Sequence, residues 1–427
     1  ALKLGQAFGS ALRAGNTVMT SRDENPASRM MNRCIISGLL SVGINVQDLR
    51  SIPLPLARYA VRGGANGGVH TRLSPGDRAS LLIELYDEMG INLSTVLERK
   101  IEGIFFREDF RRTTIDEVGS LDFPARAIEG YNIGFLEALK PQALEKAGFR
   151  AVVDYAYGSS AAILPRLFGA LNVEMITLNA YFDPKKARQF ADDRHRHLGQ
   201  IADIVRTVNA NFGLLLDNDG ETFALVDDLG RIVDGTRLLA LLTLLIARGK
   251  PGARIAMPVM VPSAIESIAK AHGAKVIYTR SDRRALRTLG NEVDFAGGAH
   301  DEVLFPEFQP AFDGLYGAAK TMELIAAEGR PLSELVDLLP DWHIARDSVP
   351  CPWDRKGAVM RTLYDEFESR DLELTDGLRV RRDGGWVLVL PDASEASVKL
   401  YAEGSTDAVA SRYLKEVQHR IEALVGA

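Results

Sequence analysis

Three carboxylates stand two residues apart in LLLDNDGETFALVDDLGRIVDG, residues 214–235: Asp217, Asp219 and Glu221. On a tight loop, carboxylates at i, i+2 and i+4 can converge on one hard cation, and an all-oxygen set suits Mg²⁺. The spacing excludes an EF-hand, whose glycine follows the third acidic ligand; here Gly220 precedes Glu221. An acidic turn between two strands, its charges solvated, fits the same residues. The second stretch is GGVHTRLSPGD, residues 67–77, where Ser74 opens a Ser-Pro-Gly turn close to His70 and Arg72. A loop serine beside cations can carry a phosphoryl group, because phosphoserine is strongly anionic and pairs with arginine or a metal. A plain surface turn has the same composition. The third stretch, AGGAHDEVLF at 296–305, sets His300, Asp301 and Glu302 on a glycine-rich loop that can bond sugar hydroxyls or simply face water. His195 and His197 lie two apart, so they do not share a helix face; HRH reads as the exposed start of a helix. Cys351, between two prolines, reads as packing between domains.

The elements around these loops follow one grammar. NTVMTSRD predicts a strand ending in a polar loop, and NPASRMMNRCIISGLLSVG the helix after it, with Met30, Met31, Cys34, Ile35, Leu39 and Leu40 on one face and Gly43 at the end. Strand, turn, helix, strand recurs in FRAVVDYAYGSSAAILPRLFGALNVEMITLN and again in ARIAMPVMVPSAIESIAKAHGAKVIYTR. Units of this kind about 100 residues apart predict three related α/β domains with largely parallel sheets. The tail differs. LTDGLRVRRDGGWVLVLPDASEASVKLYAEG holds strands joined by Asp-Gly turns, and STDAVASRYLKEVQHRIEALV closes it as a helix. The expected domains are 1–146, 147–252, 253–364 and, as a smaller α+β domain, 365–427.

Composition narrows the function. The 427 residues carry a net charge of −6, with 46% hydrophobic and 25% charged residues, an ordinary globular balance. Basic residues are scattered, with no aromatic-basic stripe, so nucleic acid is not an expected partner. The longest apolar run, LLALLTLLIA at 238–247, is about half of the ~20 residues that a membrane span needs. It reads as a buried helix, and no membrane partner is expected. Two distant cysteines, Cys34 and Cys351, without a C-x-x-C, fit a reducing cytoplasm. The chain opens on ALKLGQAFGSAL, already helical in period and without methionine, which suggests a piece of something longer.

The order of the loops is more specific than any one of them. A serine loop, a D-x-D-x-[DE] loop, a glycine-rich loop and a small tail domain together resemble the α-D-phosphohexomutases, the phosphomannomutase/phosphoglucomutase family. LVDDLGRIVDGTRLLALL at 225–242 is especially similar to the stretch after that family's metal loop. The resemblance implies four domains around a central cleft, and a phosphoserine that phosphorylates a hexose phosphate (mannose or glucose phosphate) and recovers the other phosphate. It implies Mg²⁺ held by three loop carboxylates. Carried onto this chain, Ser74 becomes the phosphoryl carrier, with His70 and Arg72 beside it, and Asp217, Asp219 and Glu221 become the metal ligands. The sugar loop falls on Gly298, His300 and Glu302, and the tail's phosphate clamp on Asp392, Ser394 and Glu395.

The departures are as informative as the matches. The family's T-A-S-H-N-P is RLSPGD here, so Pro75 replaces the histidine after the serine. Thr222 stands where an arginine follows the metal loop. Gly298, His300 and Glu302 replace the Glu, Ser and His of G-E-x-S-G-H. In the clamp R-P-S-G-T-E-P, Leu390 replaces the arginine and Asp392 the serine, a poor cradle for a phosphate dianion. ASRMMNRCIISGLLSVGINVQDLRSIPLPLARYAV and VPCPWDRKGAVMR narrow the resemblance to the mutase-like half of bacterial fusions with a mannose-1-phosphate guanylyltransferase. A sugar-nucleotidyltransferase, fused at the N-terminus or separate, is therefore an expected partner, though its glycine-rich signature does not occur in this chain. Two functions follow: a phosphohexomutase, or a lapsed mutase that holds a sugar phosphate or scaffolds the guanylyltransferase.

Overall fold

The computed structural model describes residues 1–74, 77–289, 292–367 and 371–426. The chain divides into two units: Ala1–Leu238 with Arg287–Asp294 and His300–Val336, and Leu239–Leu286 with Phe295–Ala299 and Asp337–Ala427.

In the first unit, β1 (Thr17–Arg22), β2 (Asn45–Ser51), β3 (Gly67–Ser74), β4 (Asp77–Asp87) and β5 (Leu121–Asp122) form a sheet of order β4–β3–β1–β2–β5. β1 runs parallel to β2 and β3, and β4 folds back antiparallel on β3. The helix Pro26–Leu40 starts as the sequence predicts: proline sits at its first position, and Asn25 accepts the Ala27 N–H. Its buried face is not the expected one. Ile35 and Leu39 are buried, but Met30 is 57% exposed, and Asn32 and Ile36 take the inner positions. Close approach to the helix Leu2–Ala11 sets the rotation. A Cβ on Gly38 would lie 2.3 Å from the Leu2 carbonyl oxygen, and one on Gly5 would lie 2.4 Å from that of Ile35.

The second sheet of this unit holds β6 (Arg150–Asp154), β7 (Glu174–Leu178), β8 (Phe212–Leu216), β9 (Phe223–Asp227) and β10 (Ile232–Val233), in the order β10–β9–β8–β6–β7. β6 is parallel to β7 and β8, while β8 and β9 form an antiparallel hairpin around the acidic loop. Every residue of β8 and β9 is buried, which explains their unbroken apolar runs. The HRH reading is corrected here. The helix runs Pro184–Val208, so the histidines lie mid-helix, and His197 is buried with Nδ1 2.7 Å from Asp154 Oδ2.

The helix Gly314–Glu328 begins at Asp313, whose carboxylate accepts the Tyr316 N–H at 2.9 Å, the Tyr131 hydroxyl at 2.9 Å and the Gln309 amide at 2.6 Å. Burial pushes the Asp313 carboxyl up to about 6 despite these donors. Its unfolded value is ~3.9, so the folded state holds the proton longer and stability falls as pH rises from about 4 to about 6. Asp313→Asn keeps a capping side chain without the titration. The stability of the variant relative to the parent, measured by urea unfolding, is expected to improve across that window and stay level above it. A flat difference would refute the assignment.

In the second unit, β11 (Arg254–Pro258) lies parallel between β12 (Lys275–Thr279) and β13 (Phe295–Gly297). β14 (Val303–Leu304) belongs to the first unit. The tail sheet holds β15 (His343–Pro350), β16 (Leu372–Glu373), β17 (Leu378–Arg382), β18 (Gly385–Pro391) and β19 (Ser397–Gly404), in the order β15–β19–β18–β17–β16, with every neighbour antiparallel. The expected boundary at 365 differs from this. It falls inside the helix Trp353–Glu366, and β15, far upstream, supplies an edge strand. The cause is a long-range pairing that no local turn signal marks. Cys351 belongs to the tail core with Val349, Leu363, Val398 and Leu400. The tail also packs on the third sheet, because Trp386 and Leu388 cluster with Val259 and Met260, and Glu403 accepts the Ser263 hydroxyl at 2.6 Å. The run at 238–247 lies in the helix Gly235–Gly249 and is almost wholly buried. Among the described residues, no helix is long and apolar enough to cross a membrane.

Candidate active site

The acidic loop spans the gap between β8 and β9. Its backbone is tied down on two sides, by the Leu54 N–H to the Asp219 carbonyl at 3.1 Å and by the Gly314 N–H to the Gly220 carbonyl at 2.9 Å. Gly220 has φ +74°, a left-handed conformation that favours glycine. Asp217 closes the turn from within. Its two carboxylate oxygens accept the Glu221 N–H and the Thr222 hydroxyl, both at 2.9 Å.

Asp219 and Glu221 turn toward arginines. The Arg72 guanidinium, 3% exposed on β3, donates from Nη1 to Asp219 Oδ2 at 2.7 Å and from Nη2 to Glu221 Oε2 at 3.0 Å. Arg72 Nη2 also lies 2.9 Å from Glu84 Oε2 on β4. The other Glu221 oxygen accepts from Arg287 Nη2 at 2.5 Å. Arg58, wholly buried, lies 3.4 Å from Glu84 and shares Asn92 with Arg287. Among the described residues, Arg58, Arg72 and Arg287 thus cluster with Asp219, Glu221 and the partly buried Glu84. Burial alone would lower Arg72, but Asp219, Glu221 and Glu84 outweigh it and hold the guanidinium well above its ordinary value.

The serine strand delivers its residues unevenly. His70 is fully buried, its Nδ1 2.8 Å from the Ser21 hydroxyl. Burial, reinforced by Arg72 and Arg58, pushes its imidazole well below the ordinary value, so it is neutral. It is a core residue of the sheet, fully buried. Ser74 ends β3, half-buried, and the neighbouring Leu73 N–H donates to Asp23 at 2.8 Å. Pro75 lies outside the described residues.

The remaining candidates fall in two places. In the first unit, Glu302 is buried, bridges Thr222 of the acidic loop and accepts the His300 N–H at 2.9 Å, while the His300 side chain is exposed. In the second unit, Gly298 is buried. The tail loop holds an anion of its own. The Asp392 carboxylate accepts the Ser394 N–H at 2.7 Å, the Ser394 hydroxyl at 2.8 Å and the Glu395 N–H at 3.1 Å, and lies 2.6 Å from Lys399 Nζ. These donors hold its carboxyl far below the usual range. Ser394 and Glu395, expected substrate-binding residues, donate their N–H groups to Asp392.

Sequence reasoning missed Arg58, Glu84, Asn92 and Arg287. They come from separate elements and share no motif spacing. The one local signal was an arginine inside the apolar stretch LPLARYAV.

The expected metal fails a test of fit. Mg²⁺ takes about six oxygens at about 2.1 Å. Here Asp219 and both Glu221 oxygens meet guanidinium N–H groups at hydrogen-bond distance, and Asp217 serves its own turn. As arranged here, Asp219 and Glu221, two of the three residues expected to hold Mg²⁺, meet a planar organic cation, and Asp217 meets its own turn.

Comparison with known proteins settles the family. The models for α/β/α domains I, II and III of phosphoglucomutase/phosphomannomutase match residues 1–112, 130–230 and 234–342. A "Probable phosphoglucosamine mutase" of Methanothermobacter thermautotrophicus is 30% identical over 420 residues, covering 96% of this chain and 91% of the relative. The chain belongs to the phosphoglucomutase/phosphomannomutase family. A "Phosphoglucomutase/phosphomannomutase" of Thermococcus kodakarensis is 29% identical, with 97% of this chain and 92% of the relative covered. Among solved structures, a phosphoglucomutase/phosphomannomutase family protein of Burkholderia thailandensis superposes with a TM-score of 0.85 at 20% identity, over 99% of this chain and 93% of that one. An N-acetylphosphoglucosamine mutase of Aspergillus fumigatus, solved with GlcNAc-6P and magnesium, superposes with a TM-score of 0.60 at 14% identity, over 96% and 78%. The expected fold class, three α/β domains and a smaller tail domain, is that of this family.

Proposed function

We propose that this phosphohexomutase-family chain acts on a hexose phosphate as an intramolecular phosphotransferase, with Ser74 as the phosphoryl carrier. The observation that supports this is the placement of Ser74: at the carboxyl end of a strand parallel to its neighbour β1, where α/β sheets bind ligands, and only half-buried. A hexose bisphosphate would prime the serine. The Oγ–P bond then breaks as a free sugar hydroxyl bonds to phosphorus, the proton that the hydroxyl loses being balanced by one gained at the leaving Oγ, and return of the second phosphate restores phosphoserine. Positioning and charge stabilisation carry such a transfer. ³¹P NMR with mannose 1-phosphate or glucose 1-phosphate and a trace of the 1,6-bisphosphate tests it. A 6-phosphate signal should grow with the parent protein and not with Ser74→Ala.

A second reading has its own support in Asp392, which fills the tail clamp with an internal carboxylate. It describes a lapsed mutase that holds a sugar phosphate or supports a mannose-1-phosphate guanylyltransferase in GDP-mannose metabolism. No conversion of either hexose phosphate would select it. Under both readings, the double variant Leu390→Arg, Asp392→Ser removes the internal anion and restores a charged donor. Charged hydrogen bonds contribute about 1.5–3 kcal/mol, so hexose-phosphate affinity by calorimetry should rise at least about tenfold. Unchanged affinity would mean that phosphate is held elsewhere.

A further inference from the structure

We propose that Arg72 is a built-in replacement for a divalent cation, so that the acidic loop keeps its positive counter-charge at any metal concentration. The second and third carboxylates of the loop, Asp219 and Glu221, converge on the guanidinium of Arg72, which is bonded to both. Its position is fixed by the sheet. Arg72 lies opposite Leu82 on β4, and the preceding Thr71 opposite Arg22 on β1, so the side chain enters the loop from a strand held on both edges. Arginine suits such a seat better than lysine, because its planar fork meets two carboxylates at once.

Cations already stand against these carboxylates. Arg58 faces Glu84, Arg72 faces Glu84, Asp219 and Glu221, and Arg287 faces Glu84 and Glu221, and each arginine is at most 5% exposed. A dication entering the loop would have to expel the Arg72 guanidinium from its two bonds or sit against it in a low-dielectric setting, where like charges repel strongly. Both routes oppose binding. The loop is therefore closed to Mg²⁺ by the serine strand itself, two residues before Ser74. Whichever function the chain performs, its acidic loop is insensitive to divalent supply and to chelators.

Titration of the full chain with Mn²⁺, followed by the loss of free-ion EPR signal, tests this directly. The parent is expected to show no stoichiometric site, and its melting temperature is expected to be the same in Mg²⁺ and in EDTA. Arg72→Ser opens the seat and should gain one saturable Mn²⁺ site, which Arg72→Ser, Asp219→Asn loses again. Arg72→Lys retains a cation and should gain none. Stoichiometric Mn²⁺ binding by the parent that Asp219→Asn abolishes would overturn the proposal, and so would a folded Arg72→Ser that binds no Mn²⁺. If Arg72→Ser does not fold, the parent titration beside Asp219→Asn still decides. None of these readouts depends on mutase activity, so failure of the ³¹P assay and failure here are distinguishable.

Discussion

Glu221→Ala is expected to destabilise the protein by about 3–5 kcal/mol, the usual consequence of removing one partner from a buried ion pair. Glu221 is wholly buried, and each of its carboxylate oxygens serves a different arginine, Arg72 at 3.0 Å and Arg287 at 2.5 Å. Deleting it leaves two desolvated guanidinium groups sharing the carboxylates that remain. The backbone turn is spared, because Asp217 binds the N–H of residue 221 and not its side chain. Glu221→Gln keeps the shape and loses the charge, and its cost should fall between the parent and the alanine variant. Urea unfolding monitored by circular dichroism measures all three. A cost below about 1 kcal/mol for alanine, the range of surface ion pairs, would show that the cluster is solvated in solution.

Gly158→Ala is the second change expected to act strongly, without touching any charge. A Cβ at this position would lie 2.3 Å from the carbonyl oxygen of Asn218, in the acidic loop. One of the two backbones must move, and neither is loose. Asn218 donates its amide to the Ala156 carbonyl at 2.5 Å, Ala156 N–H binds Asp154 at 2.8 Å, and Ala156 and Tyr157 already hold positive φ of 49° and 60°. Overpacking costs about 1–3 kcal/mol, and a rigid two-backbone contact belongs at the upper end. Gly169→Ala is the control. It sits in the helix Leu164–Ala170 with nothing within 4 Å of its Cβ site, and alanine should stabilise it by up to about 1 kcal/mol. Equal melting temperatures for the two variants would contradict the close approach.

The sequence displayed what local chemistry determines. β1, β6, β8 and β11 lie within the predicted apolar runs, the two Asp-Gly turns of the tail separate β16 from β17 and β17 from β18, and the acidic loop sits in a β hairpin. What stayed hidden depends on contacts far apart in sequence. The acidic residues suggested a metal because spacing counts carboxylates and does not reveal their counter-ions. Arg72 lies 147 residues before Asp219, and Arg287 lies 66 residues after Glu221. His197 looked exposed because its helix has a polar sequence, yet Asp154 on β6 draws it inward. Asp392 read as a lost phosphate ligand. Only the structure shows that it accepts the N–H groups of residues 394 and 395.

A fragment starting at residue 365 would lack β15 and leave the backbone of β19 bare from Ser397 to Gly404, where eight residues are now paired with His343–Pro350. Unpaired strand edges of that length recruit other chains. Trp386 and Leu388, 2% and 0% exposed beside Val259 and Met260, would also lose their cover. Expressed alone, such a tail is expected to aggregate, and its failure to bind a sugar phosphate would say nothing about the intact protein.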